Sequence, residues 1–557
     1  MNDSEEEVTQ LKEGSQRKSS GHTRREAVCR SFVLRLSQLA ISPILSLPPP
    51  IQLPMDSPVL SQLFRQLFRH PACQSLRPSS TLTGRRAHCI RLSTPRQQCR
   101  PFLTRRSAAK RKSADDGMNW NKRGDYPKDI TEELKEYPLV TAKDLRHRRE
   151  RPRQVKMLTR EFIDDSLYNP HYGYFSKHAT IFSPGEPFDF NNIEDGPAFH
   201  QMLGDRYTEF EDRLDDIQPD IARQLWHTPT ELFRPYYGET IARYLVSNYK
   251  LTLYPYHDLI IYEMGAGNGT LMINILDFIR DTDYEVYQRT KFKIIEISSS
   301  LAGLQLKNLM DSLNAAGHLD HVEIINKSIF DWDTYVHSPC FFLALEVFDN
   351  FSHDAIRYDT ATELPQQGGV LIDADGEFHD YYNAQLDPVA SRFLRVRQAA
   401  ARREFPSPLG PRLTRGLRKS MPFQRPFTLP EYIPTRLMQF FDILDTYFPG
   451  HRLVASDFSG LPDAVPGINA PVVQTRYKRR TVPVSTPFVH QGYFDIFFPT
   501  DFNVIEDLYR AVTGKLTQVM SHEDFVRRWA YIEDTETRSG ENPLLTWYKN
   551  ASMLMTV

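Results

Sequence analysis

From Asp258 onward, apolar and polar residues fall into short runs whose period alternates. "LIIYEM" (259–264) is an unbroken apolar run of strand length, and "GTLMINILDFIRD" (269–281) sets apolar residues three and four apart, as a helix does. "FKIIEIS" (292–298) reads as a second strand, "SLAGLQLKNLMDSLNAAG" (300–317) as a helix stopping at Gly317, "VEIIN" (322–326) as a third strand and "CFFLALEV" (340–347) as a fourth. Strands alternating with helices predict an α/β fold with a doubly wound, Rossmann-like parallel sheet. In such a sheet a ligand lies beyond the carboxyl ends of the strands.

The flanks read differently. Residues 131–250 predict a helical lobe, with "NPHYGY" (169–174) as turn chemistry and helical spacing through Ile241, Tyr244 and Leu245. Beyond the core at 255–360, a basic, proline-containing insertion at 391–426 reads as a solvated loop. The sheet is expected to resume with "HRLVASDFSGL" (451–461) and to finish with "GYFDIFFPTDF" (492–502), within a completing region of 450–557.

The first 115 residues have another character. Between Ser57 and Ala114 there is no Asp or Glu, while thirteen Arg and Lys occur there, and Val59, Leu60, Leu63, Phe64, Leu67 and Phe68 form an apolar stripe. An amphipathic, arginine-rich, acid-poor segment has the physics of a mitochondrial presequence leading to the matrix. A basic tail for nucleic acid or anionic lipid is the competing reading. Because residues 1–54 precede Met55, we expect Met55 to be the natural start. No apolar stretch is long enough to span a bilayer.

Setting this front aside changes the charge. Of 68 basic residues 7 precede Met55 and 13 lie in the arginine stretch, leaving 48; of 70 acids 6 and 1 go likewise, leaving 63, so the body from Asp115 onward, with the expected folded domain at 116–557, is near −15. That surface disfavours nucleic acid and suits a basic protein substrate. Cys340 is the one cysteine of the body, which offers neither a disulfide framework nor a zinc cluster, and no metal is expected.

The candidate chemistry sits on "YEMGAGNGTL" (262–271). Gly265, Gly267 and Gly269 make GxGxG, with the third glycine one place earlier than in the dinucleotide fingerprint GxGxxG, and Glu263 ends the strand before them. A carboxylate there repels a pyrophosphate and attracts the ammonium group of S-adenosylmethionine. S-adenosylmethionine is therefore favoured over NAD, and an NAD-dependent oxidoreductase is the weaker alternative. Glu296, ending the second strand, can accept ribose hydroxyls. Asp331 and Trp332 follow the third strand, where they meet adenine or form a plain surface loop.

Several segments taken in order resemble one family. "SLYNPHYGYFSK" is similar to N-P-x-x-G-Y-Y, "TPTELFRPYYGE" to T-S-P-E…F-G-E, "EMGAGNGTL" to E-L-G-P-G-R-G-T-L, "IIEISSSLAGLQ" to V-E-x-S-x-x-L-x-x-x-Q, "ALEVFDNF" to N-E-F-F-D-A-L and "VASDF" to I-D-Y-G. These are motifs of the MidA-like methyltransferases, and the resemblance covers much of 158–502. The chain departs from them at Asn268 (arginine in the family), Leu345 (asparagine) and Asn350 (alanine), and lacks a G-D-F segment. The resemblance implies a mitochondrial S-adenosylmethionine-dependent protein-arginine methyltransferase acting in respiratory complex I assembly, with a complex subunit as protein substrate and room for a homodimer. It places Glu346 and Asp349 at the mouth of the site, as a pair that could hold a guanidinium bidentately; helix capping is the plainer alternative. Glu231 and Glu239 are second candidates for catalysis, against a salt-bridged helix start. A donor-binding assembly scaffold without catalysis remains the other reading.

Overall fold

In the computed structural model, the described residues are 130–177, 179–217, 223–296, 310, 314, 316–411, 415, 425–462 and 464–557. The presequence-like segment, the question of Met55 and the helix expected over 300–317, three of its residues apart from Gly317, lie outside them.

Seven strands form the main sheet: β1 (Leu259–Met264), β2 (Thr290–Glu296), β3 (Val322–Asn326), β4 (Cys340–Leu345), β5 (His451–Phe458), β6 (Thr517–Ser521) and β7 (Ala551–Thr556). Their spatial order is β6-β7-β5-β4-β1-β2-β3, and only β7 runs antiparallel to its neighbours. The expected α/β sheet of mostly parallel strands is present. Strand order reverses between β1 and β4, so a crevice opens at their carboxyl ends.

The unbroken apolar runs of β1 and β4 follow from burial on both faces. On one side α1 (Tyr236–Thr252) and α2 (Thr270–Thr282) press Ile241, Leu245, Ile275 and Ile279 onto Ile261, Phe292 and Leu343. On the other, α3 (Thr435–Tyr447) and α4 (Phe502–Thr513) press Met438, Phe441, Ile505 and Leu508 onto Tyr262, Phe342 and Leu453. Each such fully buried aliphatic side chain contributes about 1.5–3 kcal/mol. In α2 the apolar positions Leu271, Met272, Ile275, Leu276 and Ile279 are all buried, as their helical spacing requires.

Three expectations about the flanks change. The lobe at 131–250 is not purely helical: Val155–Leu158 joins a second, antiparallel sheet with Pro365–Ile372, Asp354–Tyr358, Glu431–Ile433 and Phe378–Asn383. The segment read as a solvated loop begins inside the helix Pro388–Ala400, whose Phe393 is buried, and Arg402 pairs with Glu506 and Asp507 of α4. "GYFDIFF" does not finish the main sheet. Asp495–Phe497 pairs instead with Val472–Tyr477, and β6 and β7 complete the main sheet through residues whose patterning is weaker. Among the described residues no helix is long and apolar enough to cross a membrane.

Candidate active site

The chain leaves β1 through three glycines in the left-handed region, Gly265 at φ 76°, Gly267 at 55° and Gly269 at 76°. A side chain at any of them is strained. A Cβ on Gly265 would stand 3.2 Å from Val347 Cγ2, and one on Gly267 would overlap Ile181 Cδ1. The loop is therefore gripped between the segment after β4 and the strand Ala179–Ile181. Gly269 caps α2, whose first N–H groups open toward the loop with the positive end of the helix dipole.

Glu231, in the short helix Pro229–Leu232, clamps this loop from the side. Its Oε1 accepts from Asn268 Nδ2 at 3.0 Å and Thr270 Oγ1 at 2.7 Å, while its buried Oε2 has no hydrogen-bond partner and lies 3.9 Å from Arg234 Nη1. Glu263 is 5% exposed and its Oε2 also lacks a partner. Burial, and then the charge of Glu296 on the adjoining strand, push the Glu263 carboxyl up to about 8. Two orphaned carboxylate oxygens beside a glycine loop and a helix N-terminus fit a ligand carrying an ammonium and a carboxylate on one carbon. Glu296 is half-buried at the end of β2.

Three further residues proposed for the site, Asp331 and Trp332 for the cofactor and Glu239 for catalysis, are engaged elsewhere. Asp331 pairs with Arg146 at 2.7 Å. Trp332 donates its indole N–H to the Thr334 carbonyl at 2.6 Å and packs its ring against Tyr262 and Phe448 in the core. Glu239 is bound to Arg243 at 3.0 Å and faces Asp534 and Asp281.

Beyond β4 the structure gathers more acid than the sequence reading foresaw. Glu346 has φ 55°, a costly conformation for a side-chain-bearing residue, and its N–H donates to the Ser456 carbonyl at 2.7 Å, tying the ends of β4 and β5. Asp349 is buried with Oδ1 unpartnered. Asp457, ending β5, accepts from the N–H groups of Phe348 at 2.8 Å and Asp349 at 3.0 Å. Asp495 is fully buried; its Oδ1 takes a long 3.4 Å bond from Asn350 Nδ2 and its Oδ2 has none. Burial first pushes all four carboxyls up, Asp457 to about 7; for Glu346 and Asp349 the charge of Asp457 adds to it. Asp457 is the acid of the "VASDF" motif and ends a strand as Glu263 and Glu296 do, but no role was expected of it. Asp495 showed as one acid inside an otherwise apolar strand. Among the described residues no group of three or more His, Cys, Asp or Glu is arranged to hold a metal ion.

A mostly parallel sheet with left-handed glycines after β1, behind a buried carboxyl group, defines an α/β protein built for a nucleoside cofactor with a cationic head. The family described as "putative S-adenosyl-L-methionine-dependent methyltransferase" matches residues 240–521, about half of the chain, and the chain belongs to that family. This agrees with the reading of the motifs, and the cofactor is S-adenosylmethionine. The chain is 26% identical over 391 residues to the "Protein arginine methyltransferase NDUFAF7 homolog, mitochondrial" of Schizosaccharomyces pombe, covering 68% of this chain and 80% of the relative. It is 23% identical over 341 residues to the protein of the same name from Saccharomyces cerevisiae, covering 57% and 77%. A solved superfamily member from Burkholderia thailandensis bound to S-adenosyl-homocysteine aligns with a TM-score of 0.46 at 14% identity, covering 72% of this chain and 88% of that one.

Proposed function

We propose that this methyltransferase acts in the mitochondrial matrix on arginine side chains of a protein, a respiratory complex I subunit being the substrate that the motif resemblance implies. The observation that carries the acceptor is the group of buried carboxyls around Glu346 and Asp349, next to the glycine loop and short of hydrogen-bond donors. A guanidinium brings five N–H donors and a fixed positive charge, which is what unpartnered carboxylate oxygens in a low-dielectric site lack.

S-adenosylmethionine, when bound, supplies an electrophilic sulfonium methyl. Glu263 and Glu231 would hold its ammonium group, and Glu296 its ribose. The residues after β4 then position and deprotonate the acceptor. Glu346 and Asp349 orient the guanidinium so that one nitrogen faces the methyl, and the proton that this nitrogen sheds passes to a carboxylate oxygen of Glu346. Asp457 holds the turn through its bonds to the N–H groups of Phe348 and Asp349.

The test is transfer of tritiated methyl to a mitochondrial extract from a strain lacking the protein, followed by identification of the labelled residue. Methylarginine supports the proposal, and label on another residue type overturns the acceptor. Tight donor binding with no label in any fraction would make the protein a donor-binding assembly scaffold.

A further inference from the structure

The carboxyl edge of the sheet continues past the acids into polar groups that the reaction above does not use. His522 begins α5 (His522–Trp529) directly after β6, and Tyr548 stands just before the reversed strand β7, so both lie on the same edge as Glu346. His522 is 1% exposed and neither ring nitrogen has a hydrogen-bond partner. Its ring stacks on Tyr237 of α1, with centroids 5.6 Å apart at 26°, and tilts against Tyr548 at 5.9 Å. Tyr237 is fully buried; its hydroxyl makes no well-formed hydrogen bond, and the Ser456 side chain and the charge of Glu346 both bear on it. The charge of Glu346 bears on the Tyr548 hydroxyl as well, and the Tyr548 ring stacks on Phe458 at the end of β5, with centroids 6.4 Å apart. Leaving such groups unpaired is costly, and the majority of buried polar side chains avoid it.

Glu346 is the member of this group able to move. It is only partly buried, it hangs on flexible torsions, and its backbone is held in a strained state by the Ser456 carbonyl. Tyr237, by contrast, is fixed, because α1 and His522 hold its ring from two sides. We propose that Tyr237 is the positioning residue for Glu346, its hydroxyl donating to the carboxylate when Glu346 ionises, with His522 fixing the tyrosine ring by stacking. The charged and titratable groups facing Glu346 are Asp457 and Asp349, which oppose its ionisation, and the hydroxyls of Tyr237 and Tyr548. Among these only the hydroxyls can favour the charged form. This inference rests on the reading of Glu346 as the group that receives the acceptor, but its test does not depend on turnover.

The experiment follows the Glu346 carboxyl by carbon-13 NMR in protein labelled at glutamate side chains, with the resonance assigned by its loss in Glu346→Gln. In Tyr237→Phe the Glu346 titration moves upward by about half a pH unit or more, as loss of a hydroxyl donor to a carboxylate requires. The kcat for methyl transfer falls severalfold, its acidic limb moves to higher pH, and donor affinity is unchanged. Because the hydroxyl makes no well-formed hydrogen bond, Tyr237→Phe is expected to fold, and its melting temperature checks this. A folded Tyr237→Phe whose Glu346 titrates as in the wild type overturns the proposal. If the titration moves while no arginine is methylated by the wild type, the acceptor reading fails and the positioning role stands.

Discussion

Asn268 donates from Nδ2 to Glu231 Oε1 at 3.0 Å, joining the glycine loop to a helix 37 residues earlier in the chain. Asn268 stands where the family motif has arginine, and its amide meets a carboxylate that an arginine could also meet. A hydrogen bond to a charged acceptor is worth about 1.5 kcal/mol or more, roughly tenfold in an equilibrium constant. Asn268→Ala is therefore expected to weaken S-adenosylmethionine binding about tenfold by calorimetry, since the loop loses its lateral clamp. Asn268→Arg is expected to keep the affinity to within about threefold, a guanidinium restoring the pair. Equal binding by Asn268→Ala and the wild type would show that the clamp does not serve the donor.

Glu263 makes donor binding a proton-linked event. With its carboxyl at about 8 in the unliganded protein, it is mostly protonated at pH 7, and it must ionise to receive an ammonium group. Binding at pH 7 then releases a proton, and affinity rises with pH up to about 8 and levels beyond it. Calorimetry in two buffers of different ionisation enthalpy measures the release directly. Glu263→Gln should abolish both the release and most of the affinity; release that persists in this variant would assign the proton to another group.

These two residues mark how far the sequence could be read. Glu263 and the glycines are neighbours in the chain, and their chemistry depends on local spacing, so both the strand and the turn were legible. Glu231 acts on the loop across 39 residues through Thr270 as well as through Asn268, and only the family motif hinted at it. Asp457 reaches the N–H of Phe348 across 109 residues, and Asp495 meets Asn350 across 145; no local pattern encodes such meetings. Trp332 shows the opposite limit: its position after β3 is also the position from which a large ring fills the gap beside Tyr262 and Phe448, and packing took it. Glu239 was equally ambiguous, and its partner Arg243, one turn on, accounts for it.

Gly267 carries a steric prediction of its own. Gly267→Ala meets two penalties, the left-handed φ of 55° and overlap with the Ile181 side chain. Donor affinity is expected to fall by tenfold or more, because the loop must shift. In Gly267→Ala with Ile181→Ala the steric part is relieved and the conformational part remains, so the double variant should recover a fraction of the loss. Full recovery would mean that backbone strain plays no part, and no recovery that Ile181 does not confine the loop.

Asp495 offers a pH test of the buried acid cluster. In the unfolded chain an aspartate titrates near 3.9, whereas burial holds Asp457 at about 7 and Asp495 well above the usual range in the folded protein. Between these limits the folded state keeps protons that the unfolded state has released, so the contribution of these groups to stability is full below about 4 and is lost as pH rises toward 7 and beyond. Asp495→Asn removes one of the charges while keeping an oxygen for Asn350 and the shape of the side chain. At pH 3, where an aspartate is neutral in the folded and the unfolded chain alike, the variant should melt with the wild type. At pH 8 it should be more stable, by about 1–2 kcal/mol for an unpaired buried charge partly relaxed by its surroundings. The gain should come with slower methyl transfer if the cluster's charge draws the acceptor cation. Melting temperatures that differ equally at pH 3 and pH 8 would show that folding does not raise the Asp495 carboxyl.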